Sequence, residues 1–196
     1  MARPKEFERE KVLEQAVQVF ANHGYGGTST DVLLRAMGIS RQSMYDTFGD
    51  KHNLYVQALQ QYVVGSISEQ IRVLNTHASP MKGLSAMLEY FIAQALADPE
   101  PKCMGLAAIC EFGRSDAEIT TVTDMAQKTL QSALERRLSE AKASDEMGKD
   151  IDVKAAAYFI LSNVFCRRSR SEALLVFSRV LSIHFFSNAF FVGRSL

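Results

Sequence analysis

The sequence predicts an all-α chain: an N-terminal three-helix helix-turn-helix head followed by a C-terminal helical bundle. Three observations carry this expectation. Apolar residues recur at the period of a helix face, as Leu13, Val17 and Phe20 do at i, i+4 and i+7. Glycines fall where the periodic runs end (Gly24, Gly38, Gly49), and Ser, Thr or Asp stands where the next run begins. No segment alternates apolar and polar residues over the length of a strand.

The elements follow in order. A first helix is expected from about Glu6 to His23, with Val12 and Ala16 beside its apolar stripe and Gly24 as its stop. Ser29 or Thr30 opens a second, Asp31 to Met37, with Asp31 suited to its positive end and Val32, Leu33 and Ala36 turned to the core. Gly38 halts it, Ile39 points inward from the turn, and Ser40 caps a third helix from Arg41 to Phe48. Gly49 ends that helix, and Asp50 caps a long fourth one from about Lys51 to Leu74, along which Leu54, Ala58, Tyr62 and Gly65 share a face. Phe20, Leu33, Met44 and Phe48 make a core too small to stand alone, so the fourth helix is expected to complete it. A polar break at Asn75 to Pro80 separates these from helices near 81–97, 103–113, 116–143, 151–167 and 170–190. The expected organisation is therefore a head over 1–51 and a second part over 52–196, with the fourth helix linking them.

Composition bounds the function. No uninterrupted apolar run reaches the roughly 18 residues of a membrane span. The N-terminus has no apolar signal core, so a cytoplasmic chain without a membrane role is expected. Cys103, Cys110 and Cys166 form no CxxC pair, which gives neither a disulfide framework nor a zinc site; no metal or cofactor is expected. The 22 basic residues balance the 22 acidic ones, and the head is also neutral, with seven of each over residues 1–51. DNA affinity must then come from where cations and helix N-termini sit, rather than from bulk charge.

The third helix carries the sharpest chemistry. Arg41, Gln42, Ser43 and Thr47 face away from Met44 and Phe48, so an exposed helix presents donors that fit base edges in a major groove. Several features of the head coincide in order: Phe20-Ala21-Asn22-His23-Gly24-Tyr25, Thr28-Ser29-Thr30, Gly38-Ile39-Ser40, Met44-Tyr45 and Phe48-Gly49-Asp50-Lys51. This set resembles the TetR/AcrR family of bacterial transcriptional regulators. The resemblance implies a homodimer on a partly palindromic double-stranded DNA operator and a C-terminal core holding the dimer face and a small-molecule effector site. By position it places Arg41, Gln42, Ser43 and Thr47 against bases, and Thr30, Tyr45 and Lys51 against phosphates. Arginine forks to guanine and glutamine to adenine, each good pair giving about 1–3 kcal/mol of discrimination. Arg3 and Lys5 are candidates for an arm reaching phosphate or the minor groove. Asp46 cuts the other way; it either reads cytosine or braces Arg41 or Gln42.

The second part is rich in methionine and aromatic residues, which suits either an ordinary core or a hydrophobic effector. Phe91, Met104, Phe112 and Phe159 are the candidates for lining such a site. Cys103 and Cys110 lie about 10 Å apart along one helix face, too far to pair, and Cys103 at a helix start is the candidate thiol sensor. The segment Ser182 to Val192 is aromatic without acidic or permanently basic residues, and Arg167-Arg168-Ser169-Arg170 interrupts where a quiet loop is expected; both depart from the family pattern. The histidines are scattered and no nucleophile–base constellation appears, so no enzyme is expected. Glu111, in an apolar helix, has the chemistry of a base but reads first as a pocket anchor or capping carboxylate. The leading expectation is a sequence-specific DNA-binding regulator, a repressor released by a hydrophobic effector. A redox-sensing regulator using Cys103, or a helical interaction module without DNA binding, are the alternatives.

Overall fold

A computed structural model describes residues 3–97 and 103–167, excepting the side chains of residues 3–8, 95–96 and 163–167. Arg3 and Lys5 as an arm, Cys166, the basic cluster's side chains, the expected helix over 170–190 and the aromatic segment Ser182 to Val192 lie outside this description. Among the described residues eight α-helices follow one another and no strand occurs: α1 Arg3–His23, α2 Thr30–Met37, α3 Arg41–Phe48, α4 Lys51–Leu74, α5 Pro80–Ala97, α6 Met104–Phe112, α7 Ala117–Ala143 and α8 Val153–Arg167. The expected all-α class is the observed one.

The punctuation read from sequence is what sets the boundaries in the head. Ser29 has extended backbone and its side chain accepts from the Val32 amide, which starts α2. Gly38 closes it at φ 65°, a left-handed turn that costs glycine nothing, and its N–H donates to the Leu34 carbonyl. Ser40 repeats the device for α3, accepting from the Ser43 amide at 3.1 Å. Asp50 accepts from the Asn53 amide at 2.8 Å at the start of α4.

The described residues within Met1–Ser66 and Lys102–Ala126 form one compact unit, and those within Ile67–Pro101 and Gln127–Leu196 another. In the first, Phe20, Leu33, Met44 and Phe48 are buried together with Leu54, Tyr55, Ala58 and Leu59 of α4, so α4 does complete the head's core. Met104 and Ala108 of α6 and Ile119 of α7 join the same cluster. Two details differ from expectation. Ala36 is exposed and Met37 is buried in its place, because Leu33 and Met37, four apart, share one face of so short a helix. Gly65 is exposed, and Val63 carries the buried stripe at that end. The second unit has its own core, built on Leu74, Leu84, Met87, Leu134, Leu138 and Ala157.

Candidate nucleic-acid interface

The α2–α3 pair positions the interface. With Met44 and Phe48 wholly committed to the core, the remaining side chains of α3 have no inward option, and Arg41, Gln42, Ser43, Tyr45, Asp46 and Thr47 are all exposed. Tyr45 is 46% exposed on this surface.

These polar groups are ordered by carboxylates. Arg41 Nη2 lies 2.6 Å from Asp31 Oδ1, so α2 braces the first residue of α3. Gln42 Nε2 donates to Asp46 Oδ1 at 2.8 Å, one turn on; Asp46 braces Gln42, one of its two expected roles. Ser43 Oγ is 2.9 Å from the Ser40 hydroxyl, which ties it to the cap. The Arg41–Asp31 pair is 55% and 70% exposed, and such pairs contribute at most about 1 kcal/mol. An arginine forked to a base gains about 1–3 kcal/mol in general, more than such a pair, so the ion pair is weak enough to be exchanged.

Lys51, half-buried at the start of α4, donates from Nζ to the Tyr25 carbonyl at 2.7 Å. Its ammonium also sits 4.0 Å from the centroid of the Tyr25 ring. Two of its three N–H groups remain for an anion. Thr30 is the half-buried first residue of α2. The Arg9 guanidinium stands 5.4 Å from the Phe48 ring centroid and donates to Gln57, contacts that periodicity in α1 did not announce.

Behind this surface stand supports from distant parts of the chain; sequence reasoning singled out Glu111 without its partners and missed the pairing of His52 with Asp116. The Glu111 carboxylate on α6 accepts from the Tyr25 amide at 3.0 Å and from the Gly26 amide, so it is a capping carboxylate. His52 Nε2 and Asp116 Oδ2 are 2.6 Å apart. The Ile119 amide, with the His52 side chain and the Glu118 amide, holds the Asp116 carboxyl below the usual carboxylate range against the cost of burial. These partners are 64 to 86 residues apart in the chain, and no local pattern signals them.

The effector candidates fall in separate places. Met104 is buried in the first unit's core, and Phe112 packs against that core beside Tyr25 and Tyr55. Phe91 packs against the second unit's core and Phe159 is 42% exposed. Cys103 is the N-cap of α6 without a side-chain cap bond, and Cys110 is exposed; neither is in a disulfide. No group of His, Cys, Asp and Glu that could hold a metal occurs among the described residues. None of the described helices is long and apolar enough to cross a membrane.

A Ser-capped helix, set by a glycine turn against a partner of equal length and presenting only polar groups and one tyrosine outward, defines a helix-turn-helix DNA reader. Comparison with known proteins agrees. Residues 12–58 match the family described as bacterial regulatory proteins, tetR family. The chain is 33% identical over 163 residues to the HTH-type transcriptional regulator YezE of Bacillus subtilis, covering 82% of this chain and 84% of that protein. It is 25% identical over 162 residues to the HTH-type transcriptional repressor ComR of Escherichia coli, covering 81% and 76%. Among solved structures, a cysteine mutant of the TetR family regulator CifR complexed with 26-bp double-strand operator DNA superposes with a TM-score of 0.74 at 26% identity, covering 89% of this chain and 95% of that one. This chain belongs to the TetR family of DNA-binding transcriptional regulators.

Proposed function

We propose that this regulator is a cytoplasmic homodimeric repressor that reads a partly palindromic operator and releases it on binding a small hydrophobic effector. The observation that carries the reading is the outward face of α3, where Arg41 and Gln42 are held by Asp31 and Asp46 in reach of base edges. Arg41, Gln42, Ser43 and Thr47 meet bases in this account, while Thr30, Tyr45 and Lys51 meet phosphates. Residues 1–51 serve as the DNA-reading head and 52–196 as the effector and dimerisation part. A repressor named ComR and a DNA complex of CifR among the similar proteins support repression and operator binding.

Two recognition helices enter successive major grooves only when they stand about 34–36 Å apart, or a multiple of it. An effector that binds better to a different spacing shifts the population off DNA by no more than its differential affinity. Phe91, Met104, Phe112 and Phe159 are proposed as effector contacts, each to be tested singly by alanine substitution.

Selection of random duplex DNA by the purified protein at moderate salt tests the reading. Recovery of an inverted repeat is the expected result and supplies the operator. Protein shown to be folded and dimeric that enriches no sequence would overturn it.

A further inference from the structure

We propose that Glu111 is a positioning residue for DNA reading: from α6, through a single peptide group, it seats the Lys51 ammonium at the start of α4. The inference rests on the preceding assignment of Lys51 to phosphate.

The peptide unit joining Tyr25 to Gly26 is engaged at both ends. Its N–H, on Gly26, donates to Glu111 Oε1, and its carbonyl, on Tyr25, accepts from Lys51 Nζ at 2.7 Å. A carboxylate and an ammonium are thereby bridged by one resonant amide, and each polarises the group toward the other. The adjacent Tyr25 N–H donates to the second oxygen, Glu111 Oε2, at 3.0 Å, so the carboxylate grips two consecutive amides. The side chains repeat the connection. Phe112, next to Glu111, has its ring centroid 5.2 Å from that of Tyr25, and the Lys51 ammonium lies 4.0 Å from the same Tyr25 centroid.

The turn is built to admit the carboxylate. A Cβ on residue 26 would lie 2.8 Å from Glu111 Oε1, with no other atom of the structure within 4 Å of it. A side chain at residue 26 would therefore push the end of the flexible Glu111 side chain out of its present position, and Gly26 is not needed there for a left-handed backbone. Glu111 lies on α6, outside the three helices of the head. The charge of Lys51 at a DNA-facing helix start is thus held by a residue that never touches DNA.

A double-mutant cycle on operator affinity, measured with the full-length chain and the selected duplex, tests this. Glu111→Gln keeps the size but removes the charge and turns one of the two acceptors into a donor facing an amide N–H, and Gly26→Ala displaces the carboxylate while leaving it in the chain. Each is expected to weaken operator binding about fivefold, the difference between a charged and a neutral hydrogen bond. Each is also expected to flatten the salt dependence toward that of Lys51→Ala, which removes one phosphate contact. In the Lys51→Ala background both effects should shrink to less than about twofold, because the interaction they disturb is already gone. A purely structural role would add its full loss in that background and leave the salt slope unchanged; that result, or native affinity in both variants, overturns the proposal. A native chain that retains no DNA fails the underlying reading as well, which separates the two failures.

Discussion

Arg41 and Gln42 meet the solvent already tied to carboxylates, and this changes what their removal should do. Arg41→Ala is expected to cost about 1–3 kcal/mol of discrimination at one base pair and to leave the other positions readable in a repeat of the duplex selection. Lys51→Ala is expected instead to weaken all duplexes alike and to lower the slope of log affinity against log salt by about 0.9. If both variants lose affinity uniformly, the assignment of bases to Arg41 is wrong. Tyr55 poses a different question. Its side chain is fully buried, its hydroxyl has no partner, and burial, with the nearby Glu111 carboxylate, raises the phenol above its ordinary value. An orphaned buried hydroxyl costs about 1–3 kcal/mol, so Tyr55→Phe should melt at the native temperature or above it by calorimetry. A clear drop in melting temperature would mean that the hydroxyl has a partner in solution.

At the scale of an element, α3 shows how little sequence is needed to place a reading face. Eight residues bury two side chains four apart, Met44 and Phe48, and the other six are outward by geometry. So short a helix is marginal by propensity, and its cap matters accordingly. Ser40→Ala removes the acceptor for the Ser43 amide and should cost about 1 kcal/mol of stability. Operator affinity should fall with it, as the helix frays at Arg41 and Gln42. An unchanged melting temperature together with unchanged affinity would show that packing alone holds α3. The helix boundaries were legible because each stop and cap acts within a few residues. Glycines 24, 38, 49 and 113 all take positive φ at helix ends, and Ser29, Ser40 and Asp50 bond amides three residues on.

Over the whole molecule, four carboxylates among the described residues are held below their ordinary range, Glu69 chiefly by its hydrogen bond with Arg72 and three others by more distant partners or by helix-start amides. The Ile119 amide chiefly lowers Asp116, the Ser79 hydroxyl lowers Glu146, and the Ala155 amide lowers Asp152. A carboxyl whose folded value is depressed contributes stability that is fully present above its unfolded value, near 3.9 for Asp and about 4.3 for Glu. That contribution disappears as pH falls through the lower folded value. Denaturant unfolding should therefore give a nearly constant contribution from these groups between neutrality and about pH 5, and a steep loss of stability below about pH 4. Asp116→Asn should shallow that loss; an acid limb of undiminished steepness would exclude Asp116 as a contributor. The two units carry distinct cores, and both contain carboxylates of this kind, Asp116 in one and Glu146 and Asp152 in the other.

The sequence by itself determined the class of protein, the described helices with most of their ends, and the exposure of Arg41, Gln42, Ser43 and Thr47 on α3, because periodicity, caps and turns are interactions between near neighbours. It also offered Glu111 as a capping carboxylate without saying what it caps, and Asp46 as a brace without saying for which residue. The tertiary structure decided those partners: Gln42 for Asp46, the Tyr25 and Gly26 amides for Glu111, Asp31 for Arg41 and Asp116 for His52. It also decided that α6 joins the head's core, and that Met104 and Phe112 pack there while Phe91 packs in the other core. Contacts across 64 or 86 residues depend on how the chain returns on itself, and no pattern local to either partner records that return.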